Sequence, residues 1–313
     1  MNNNNIVKVF APATVANVTC GFDILGFPLE NVGDVLTLKV IKEKQIRITK
    51  IEGFDLPYEA SKNVAGVVIQ KLVQDLGIGF GFEVEIEKGV KPGSGIGSSA
   101  ASAAAAAFAV NELAGKPLEI KELVKYAMEG EKLASGIPHA DNVAPSLIGN
   151  FTLIRSYDPL DIIQLVSPAD LYCTLIHPHI QVNTEDSRKI LKKQISLELA
   201  IKQWGNVAGL ITGINLSDYN LIGRSMNDVI IEPTRSILIP GFDKIKEASI
   251  RAGALGCGIA GSGPSVFAFS KGEKTSMTVK NIMSEIYKNI DVNFDLYVSK
   301  ISPKGAFVIK HGN

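Results

Sequence analysis

The chain has 313 residues, of which 46% are hydrophobic, and its 32 basic and 32 acidic side chains give a formal net charge of zero. This length is enough for two domains of ordinary size, and the neutral balance gives no basic surface for a nucleic acid partner. No apolar stretch approaches the ~20 residues that cross a bilayer, so the sequence predicts no membrane partner. Its three cysteines, and an amino-terminal segment unlike a signal peptide, predict a cytoplasmic protein without a disulfide framework.

The first fifty residues carry mostly extended patterns. Residues 6–10 are predicted to form a short strand. Residues 11–26 are unusual in composition, because they mix small residues with Asn17 and Asp23. Residues 33–54 alternate in hydropathy like the two strands of a hairpin.

A helix and a further strand come next. Residues 61–76 place apolar side chains at helical spacing, with Ser61 as the predicted N-cap and Gly77 as the C-terminal stop. Phe82–Glu87 then alternates between apolar and acidic residues, which is the period of a half-buried strand.

A glycine loop and an alanine-rich helix lie after that strand. Gly93, Gly95 and Gly97 lie within five residues, and the alanine run after them predicts a helix that reaches about Leu113. A glycine loop that enters a helix N-terminus offers unpaired N–H groups and the positive end of the helix dipole. The pattern therefore predicts an anion site, and phosphate is the commonest anion at such sites.

The residues after the loop narrow the kind of phosphate site. The Walker A sequence G-K-[S/T] is absent. Residues 95–100 match G-x-G-x-x-A, but a second predicted helix over 118–133 stands where a dinucleotide site needs a strand. An alanine-rich core helix entered by a flexible turn is the remaining alternative. The hydroxyls of Ser98 and Ser99 argue against it, because they can reach a phosphate or Mg²⁺ as well as cap the helix.

The rest of the chain divides near residues 157–170, which gives predicted domains over 1–165 and 166–313. Residues 129–149 are predicted to be a loop dense in polar groups. The remaining predicted elements are strands over 151–155, 162–166 and 171–177, helices to about 253, a strand–glycine turn–strand over 258–269, a helix over 274–289 and closing strands over 293–299 and 305–310. Helices packed on an antiparallel sheet would form an α+β plait.

Three segments resemble motifs of the GHMP kinases, in the order and at the spacing of that family. They are P-A-T-V-A-N-V-T-C-G-F-D-I-L-G (12–26), P-G-S-G-I-G-S-S-A-A (92–101) and G-I-A-G-S-G-P-S-V-F-A-F (258–269). H-A-D-N-V-A-P-S (139–146) and E-P-T-R (232–235) are similar to the homoserine-specific members. One departure is that many members have proline where Lys91 stands here, one place before Pro92.

The resemblance implies an α+β fold with two domains, an N-terminal nucleotide-binding domain and a C-terminal ferredoxin-like α/β plait. It implies an enzyme of threonine biosynthesis that transfers the γ-phosphate of ATP, with Mg²⁺, to the side-chain hydroxyl of L-homoserine. A homodimer is also implied. The alternatives are a kinase of the same family that acts on mevalonate or shikimate, and a ligand-sensing relative without catalysis. Ser98 and Glu131 match the family's Mg²⁺ pair, which a sensor would not need.

The resemblance also implies site residues at matching positions. The implied nucleotide contacts are Asn63, Lys88, Lys91, Pro92, Gly93, Ser94, Gly95, Ile96, Gly97, Ser98, Ser99, Ala100, Ala101, Gly261 and Gly263. The implied substrate contacts are Asn17, Asp23, His139, Thr184, Arg188 and Arg235. Guanidinium groups bind carboxylates through two parallel hydrogen bonds, which suits the arginines to the carboxylate of an amino acid. Asp23 suits its ammonium.

The general base is the open point of the sequence. Mevalonate-type relatives carry an aspartate eleven residues beyond the metal-binding glutamate, and that spacing leads from Glu131 to Asn142. We therefore expect no strong base, with Asn142 orienting the hydroxyl and the proton leaving through phosphate. A shift of one residue would instead make Asp141 the base.

Overall fold

The computed structural model describes residues 5–180, 182 and 184–309, without the side chains of residues 184–186. The first half contains β1 (Ile6–Ala16), β2 (Leu25–Ile41), β3 (Ile46–Glu52), α1 (Val64–Asp75), β4 (Gly81–Glu87), α2 (Ser98–Leu113), α3 (Ile120–Ser135), α4 (Ala140–Ile148), β5 (Phe151–Tyr157) and β6 (Leu160–Leu165). The second half contains β7 (Leu171–Pro178), α5 (Thr184–Lys189), α6 (Leu197–Leu216), α7 (Tyr219–Ser225), α8 (Glu232–Arg235), α9 (Phe242–Arg251), β8 (Gly256–Ile259), β9 (Val266–Lys271), α10 (Glu273–Asn289), β10 (Phe294–Lys300) and β11 (Phe307–Val308).

The first sheet has the order β11-β1-β2-β4-β3, with β5 paired to β2 and to β6. The hairpin predicted over residues 33–54 is wrong, because β4 lies between β2 and β3. Hydropathy alternation fixes which face of a strand is buried but says nothing about its partner. β3 instead pairs in parallel with β4, and α1 makes the crossover that a parallel pair requires.

Half of the segment 11–26 is strand. β1 continues to Ala16 and pairs with β2 through Gly26. The irregular part is the short turn between them, where Asn17, Val18, Thr19 and Asp23 all have positive φ angles. A left-handed backbone is costly for a β-branched residue such as Val18, and strain of this kind is found mainly at functional sites.

The helix α1 begins later than predicted. Residues Ala60–Lys62 form a short 3₁₀ turn, so Ser61 is not the N-cap. The cap is Asn63, whose side-chain oxygen accepts hydrogen bonds from the backbone N–H groups of Ala65 (3.0 Å) and Gly66 (3.4 Å). The predicted stop is confirmed, since Gly77 lies just after the helix with a φ of +63°.

The alanine-rich helix α2 lies at the centre of the first half, and its predicted extent is confirmed. It contacts β1, β2, α1, α3 and α4, and its alanines from position 100 to 107 are buried. Small side chains allow close approach: a Cβ added to Gly130 of α3 would lie 3.0 Å from the Cβ of Ala103. Two further helices come after α2, which confirms that no dinucleotide-type strand is present there.

The loop predicted over residues 129–149 is wrong. α3 continues to Ser135, and α4 is a helix although it contains Pro145. Its apolar residues Ala140, Val143, Ala144 and Leu147 form a buried stripe at helical spacing. The polar residues between them made this stripe hard to recognise in the sequence. Because a proline has no N–H group, the carbonyl of Asp141 lacks its usual helical donor. Gly26 packs closely against that carbonyl, since a Cβ added to Gly26 would lie only 1.9 Å from the Asp141 oxygen.

The second sheet has the antiparallel order β10-β7-β9-β8, with α9 and α10 packed on it. The unit β7–helices–β8–β9–α10–β10 confirms the ferredoxin-like plait. An aromatic cluster joins the two sheets, with Phe27 and Phe151 from the first and Phe267 and Phe269 from the second, at ring-centroid distances of 5.0 to 5.9 Å.

The last strand returns to the first half. β11 pairs with β1 through Val308 and Val9, and Ile301 bridges to Leu29.

The domain boundary predicted between residues 165 and 166 stays a prediction. Among the described helices there is none with the length and apolarity needed to span a bilayer.

Candidate active site

The glycine loop is held in a narrow path by its neighbours. Gly93, Gly95 and Gly97 have φ angles of +75°, +78° and +65°, and Gly97 caps α2. A Cβ on Gly97 would lie 2.0 Å from Oγ1 of Thr14, and one on Gly95 would lie 2.5 Å from the carbonyl oxygen of Gly263. The third motif therefore lies in close contact with the glycine loop.

A cavity of about 320 Å³ lies in front of this loop, between the two halves of the chain. Most of the residues singled out in the sequence line it, although many are far apart along the chain. These are Asn17, Asp23, Asn63, Lys88, Pro92, Gly93, Gly95, Gly97, Ser98, Ser99, Glu131, His139, Asp141, Asn142, Arg188, Arg235 and Gly261.

Some of the expected nucleotide contacts lie behind the loop instead. The carbonyl of Ser94 accepts a hydrogen bond from the Ser265 hydroxyl (2.6 Å), and that of Ile96 accepts one from the backbone N–H of Thr14 (3.1 Å). The side chains of Ala100 and Ala101 are buried within α2. Lys91 and Gly263 do not line the cavity either, and the side chain of Thr184 lies outside the described part of the structure.

Lys88 was expected to contact the nucleotide, but its ammonium forms hydrogen bonds within the protein. Its ammonium is buried and donates to the Asp34 carboxylate, to the carbonyl of Ser98 and to the Ser102 hydroxyl. Burial lowers the pKa of Lys88, and the charge of Asp34 opposes that shift. Asp34 also accepts from the N–H of Gly89 (3.1 Å) and from Ser102 (2.7 Å). The buried ion pair therefore ties the strand before the loop to the first turns of α2, and this geometry does not support a contact to phosphate.

Asn63 likewise has its polar atoms engaged. Its oxygen caps α1, and its Nδ2 donates to the carbonyl of Pro57 at 2.8 Å. The contact to adenine stays a prediction.

The acidic and basic groups of the substrate end form one network. Nη2 of Arg188 donates to both carboxylate oxygens of Asp23, at 2.7 and 2.9 Å, and to Nε2 of His139 at 3.0 Å. Because a guanidinium can only donate, Nε2 of His139 is the acceptor and its proton is on Nδ1. Burial is the largest cause that lowers the pKa of His139, and the charges of Arg188 and Arg235 add to it. The imidazole is thus neutral at pH 7.

The two arginines converge. Arg235, on α8, is buried and donates to the carbonyls of Ser187 (3.2 Å) and Gly261 (3.3 Å). The guanidinium carbons of Arg188 and Arg235 lie 5.2 and 5.1 Å from the ring centroid of Phe22. Burial, and then the charge of Arg188, lowers the pKa of Arg235 to about 10, so it remains protonated at pH 7.

Asp141 and Asn142 lie side by side at the start of α4. Asp141 is buried, its Oδ1 has no hydrogen-bond partner in the described structure, and burial raises its pKa to about 8. The charges of Asp23 and Glu131 add to that shift. Oδ1 of Asn142 accepts from the Thr14 hydroxyl at 3.3 Å.

Comparison with known proteins identifies the family. A model of the GHMP kinases N terminal domain matches residues 63–150, and one of the GHMP kinases C terminal domain matches residues 210–289. A homoserine kinase from Chlorobium phaeobacteroides (strain BS1) is 48% identical, with 97% of this chain and 99% of that protein covered. The chain belongs to the GHMP kinase family. A homoserine kinase from Methanococcus maripaludis (strain C5) is 40% identical over 96% of this chain and 98% of its own length.

Solved structures agree with the GHMP kinase fold. The crystal structure of homoserine kinase from Cytophaga hutchinsonii is 51% identical, covers 99% of both chains and superposes with a TM-score of 0.95. A mevalonate diphosphate decarboxylase from Staphylococcus aureus, 17% identical with a TM-score of 0.73 and 98% of both chains covered, shares the fold.

A GHMP kinase uses ATP with Mg²⁺ as its phosphoryl donor, and the residues present fit the metal. Oε1 of the buried Glu131 has no hydrogen-bond partner among the described residues, and burial raises its pKa to about 7. The Ser98 hydroxyl donates its proton to the carbonyl of Val90 at 2.8 Å, which leaves oxygen lone pairs free. Mg²⁺ is commonly bound through one or two protein oxygens, with phosphate oxygens and water completing its shell. Glu131 and Ser98 are suited to that role.

Two residues that contact the site residues of this GHMP kinase were missed in the sequence. Phe22 lies inside the first motif beside Asp23, but an apolar residue among small ones carries no chemical signal by itself. Asp34 lies within β2 and is fully buried. The only sign in the sequence is an acidic residue in a strand-like run, which is more often a solvated position.

Proposed function

We propose that the chain transfers the γ-phosphate of ATP to the side-chain hydroxyl of L-homoserine, giving O-phospho-L-homoserine and ADP. The observation that carries the proposal is the juxtaposition of a phosphate-type glycine loop with two arginines and an aspartate in one cavity. An acceptor that is an α-amino acid brings a carboxylate and an ammonium, and this network offers the complement of both. A sugar or a polyol brings neither group.

The acceptor end is supported by the internal ion pair. Arg188 and Asp23 neutralise each other, and Nε of Arg188 is buried without a hydrogen-bond partner in the described structure. When the zwitterion of homoserine binds, the ion pair between Arg188 and Asp23 is replaced by ion pairs with the substrate. Its carboxylate binds Arg188 and Arg235, and its ammonium binds Asp23. Each charged side chain therefore keeps a partner of opposite charge when the substrate binds, and none is left buried without one.

The donor end is supported by the loop. The N–H groups of residues 93–99 and the N-terminus of the 16-residue helix α2 bind the phosphates of ATP. Ser98 and Glu131 hold the Mg²⁺, which when bound neutralises the phosphate charge that develops during transfer. Lys88 and Asp34 keep the strand and the helix on either side of the loop at a fixed distance.

The proton of the acceptor hydroxyl is transferred without a strong base. Asn142 orients the hydroxyl, and Asp141, with a pKa of about 8, is mainly a neutral carboxylic acid at pH 7. A neutral acid donates a hydrogen bond rather than accepting a proton. The proton leaves through the transferred phosphate, which a loose transition state permits because it depends mainly on positioning.

The deciding experiment measures ADP release from Mg-ATP with L-homoserine, mevalonate, shikimate, galactose or L-threonine as the acceptor. We expect turnover with L-homoserine at a kcat/KM at least about a hundredfold above that of any other acceptor, because only this acceptor offers all three groups at the right spacing. Preference for mevalonate or shikimate would keep the glycine loop and overturn the substrate end. Binding of ATP without turnover of any acceptor would favour the sensor alternative.

We also propose that the chain is a homodimer. Support comes from a stripe on α6 formed by Leu197, Ile201 and Trp204, which are 68%, 56% and 59% exposed and share one helix face. Light scattering after size exclusion should give a dimer of the 313-residue chain and a monomer for Trp204→Lys. Leu216→Lys is the matched control, because Leu216 is 66% exposed but lies outside that face. A monomeric unmodified chain would refute the proposal.

A cytoplasmic location is proposed for the same protein. Support comes from Cys20, Cys173 and Cys257, which are free thiols and buried, as is usual in a reducing compartment. Recovery of the native protein in a secreted or periplasmic fraction would contradict it.

A further inference from the structure

Phe22 lies where the two arginines of the cavity meet. Its ring centroid is 5.2 Å from the guanidinium carbon of Arg188 and 5.1 Å from that of Arg235, so one ring contacts both cations. Aromatic rings attract cations through their negative faces at distances below about 6 Å, and the attraction is larger where water is excluded. Arg235 is only 3% exposed, so this contact is desolvated.

The arginines need such a partner because they repel each other. The charge of Arg188 is among the causes that lower the pKa of Arg235. The described hydrogen bonds of Arg235 go to two neutral backbone carbonyls, those of Ser187 and Gly261. The nearby anions are Asp23 and Asp228. Asp23 is bound directly to Arg188, and Asp228 accepts from the Gln203 side chain and from the backbone N–H of Glu232. The aromatic ring is therefore a group that attracts both guanidinium groups at once.

The ring is held in place by the strained turn that carries it. Asn17 spans the turn: its oxygen accepts from the N–H of Asp23 at 2.9 Å, and its Nδ2 donates to the carbonyl of Gly261 at 2.7 Å. Arg235 donates to that same carbonyl. The turn, the third motif and the arginine thus share one anchor, which fixes the ring relative to the guanidinium group.

We infer that Phe22 is a positioning residue that sets the preference for acceptors with an α-carboxylate, because its ring holds Arg188 and Arg235 together as one carboxylate-binding pair. The inference rests on the proposed role of the two arginines. It predicts that removal of the ring weakens binding of the carboxylate and leaves the binding of the ammonium and the hydroxyl unchanged.

The test uses two partial analogues of homoserine as competitive inhibitors. L-2-aminobutyrate keeps the carboxylate and lacks the hydroxyl, whereas 3-aminopropan-1-ol keeps the hydroxyl and lacks the carboxylate. In Phe22→Leu, we expect the inhibition constant of L-2-aminobutyrate to rise about tenfold or more and that of 3-aminopropan-1-ol to stay within about twofold. The KM for homoserine should rise by a similar factor, with kcat and the KM for ATP within about threefold.

Companion variants keep the test decisive. Phe22→Tyr retains the ring and should restore the inhibition constant of L-2-aminobutyrate to within about threefold of the unmodified enzyme. Phe22→Met serves if Phe22→Leu does not fold, as judged by its melting temperature. Phe307→Leu, at a 42% exposed aromatic outside the cavity, should change neither constant.

The outcomes distinguish the role of the ring from that of the arginines. Equal changes in both inhibition constants, or no change in either, would overturn the role of Phe22. If Arg235→Ala raises only the constant for L-2-aminobutyrate while Phe22→Leu does not, the carboxylate role of the arginines stands and the inference about the ring is refuted. If Arg235→Ala leaves that constant unchanged, the proposed acceptor site fails, and the inference fails with it.

Discussion

Burial determines the protonation of two carboxyl groups in the cavity. Asp141 and Glu131 are carboxyl groups with raised pKa values of about 8 and about 7, because burial disfavours their ionised forms. In the proposed metal site, Mg²⁺ would be a positive partner for the Glu131 anion, whereas Asp141 would have no such partner. The proposal therefore predicts opposite protonation states for these two carboxyl groups when the metal is bound.

The Asp141→Asn variant tests the protonation state in activity. An amide resembles a neutral carboxylic acid in size and hydrogen bonding, so we expect kcat at pH 7 to fall by less than about tenfold. Steady-state turnover with L-homoserine is the measurement. Loss of nearly all turnover with an unchanged melting temperature would make Asp141 the general base.

The same variant tests the pKa through stability. The carboxyl group has its ordinary pKa of 3.8 in the unfolded chain and about 8 when folded. Its contribution to stability is complete below pH 3.8 and is lost as the pH rises towards 8, by up to about 1.4 kcal/mol per pH unit. Asp141→Asn does not titrate, so its melting temperature relative to the unmodified chain should increase between about pH 5 and about pH 8.5. A pH-independent difference would contradict the raised pKa.

The buried pair of Lys88 and Asp34 makes a further prediction at this scale. Asp34→Asn leaves a buried ammonium without its anion and should lower the free energy of unfolding by about 3–5 kcal/mol, measured with urea. Asp75→Asn is the control, since it breaks an exposed pair with Lys71 and should cost less than about 1 kcal/mol. Equal costs would show that the buried pair is not structural.

The last prediction for a single residue concerns Arg235. Arg235→Ala removes half of the proposed carboxylate site and should reduce kcat/KM for homoserine by an amount equivalent to about 2–5 kcal/mol. A change below about threefold would place Arg235 outside the site.

At the scale of elements, the glycine loop and the third motif act as one surface. Gly95→Ala puts a Cβ 2.5 Å from the carbonyl oxygen of Gly263, and the loop must move to relieve it. Because small displacements near the reacting groups are costly, we expect kcat/KM for ATP to fall about a hundredfold. Gly77→Ala has the same left-handed backbone with no neighbour within 4 Å, so it should cost about 1 kcal/mol of stability and no activity. Similar activities for the two variants would refute the contact.

The elements also show how far the sequence leads. Helix α2, the single helix α3 after it and the plait could be inferred from composition and order, because alanine runs and regular alternation act locally. α4 was missed because Pro145 and its polar neighbours concealed a short apolar stripe. The partner of β3 could not be read at all, since the strand that separates it from β2 comes later in the chain.

The site shows the same division. Residues with distinctive chemistry, such as Arg188 and Glu131, were found by resemblance and line the cavity. Phe22 and Asp34 act through contacts with residues that are distant in sequence, so no local pattern contained them. The engaged states of Lys88 and Asn63 were hidden for the same reason, because a sequence shows a donor but not its partner.

At the scale of the whole molecule, the aromatic cluster joins the two halves. Phe269→Ala removes a ring in contact with Phe27, Phe151 and Phe267 and should cost about 3–5 kcal/mol. Amide hydrogen exchange in β4 and in β9 should accelerate together, since both sheets would open in one global event. Phe307→Ala, with one aromatic neighbour and 42% exposure, is the control. Faster exchange in β9 alone would show that the halves unfold independently.

The pairing of β11 with β1 bears on how the protein is made. A ribosome releases β1 early, but residues 307–308, which cover its free edge, are added about 290 residues later, and translation at about 5–20 residues per second makes that a wait of roughly 15–60 s. During this interval β1 presents unpaired backbone groups, a template for pairing with another nascent chain. The newborn polypeptide therefore has a period of exposure that the finished enzyme no longer shows, and slow translation of its second half would lengthen it.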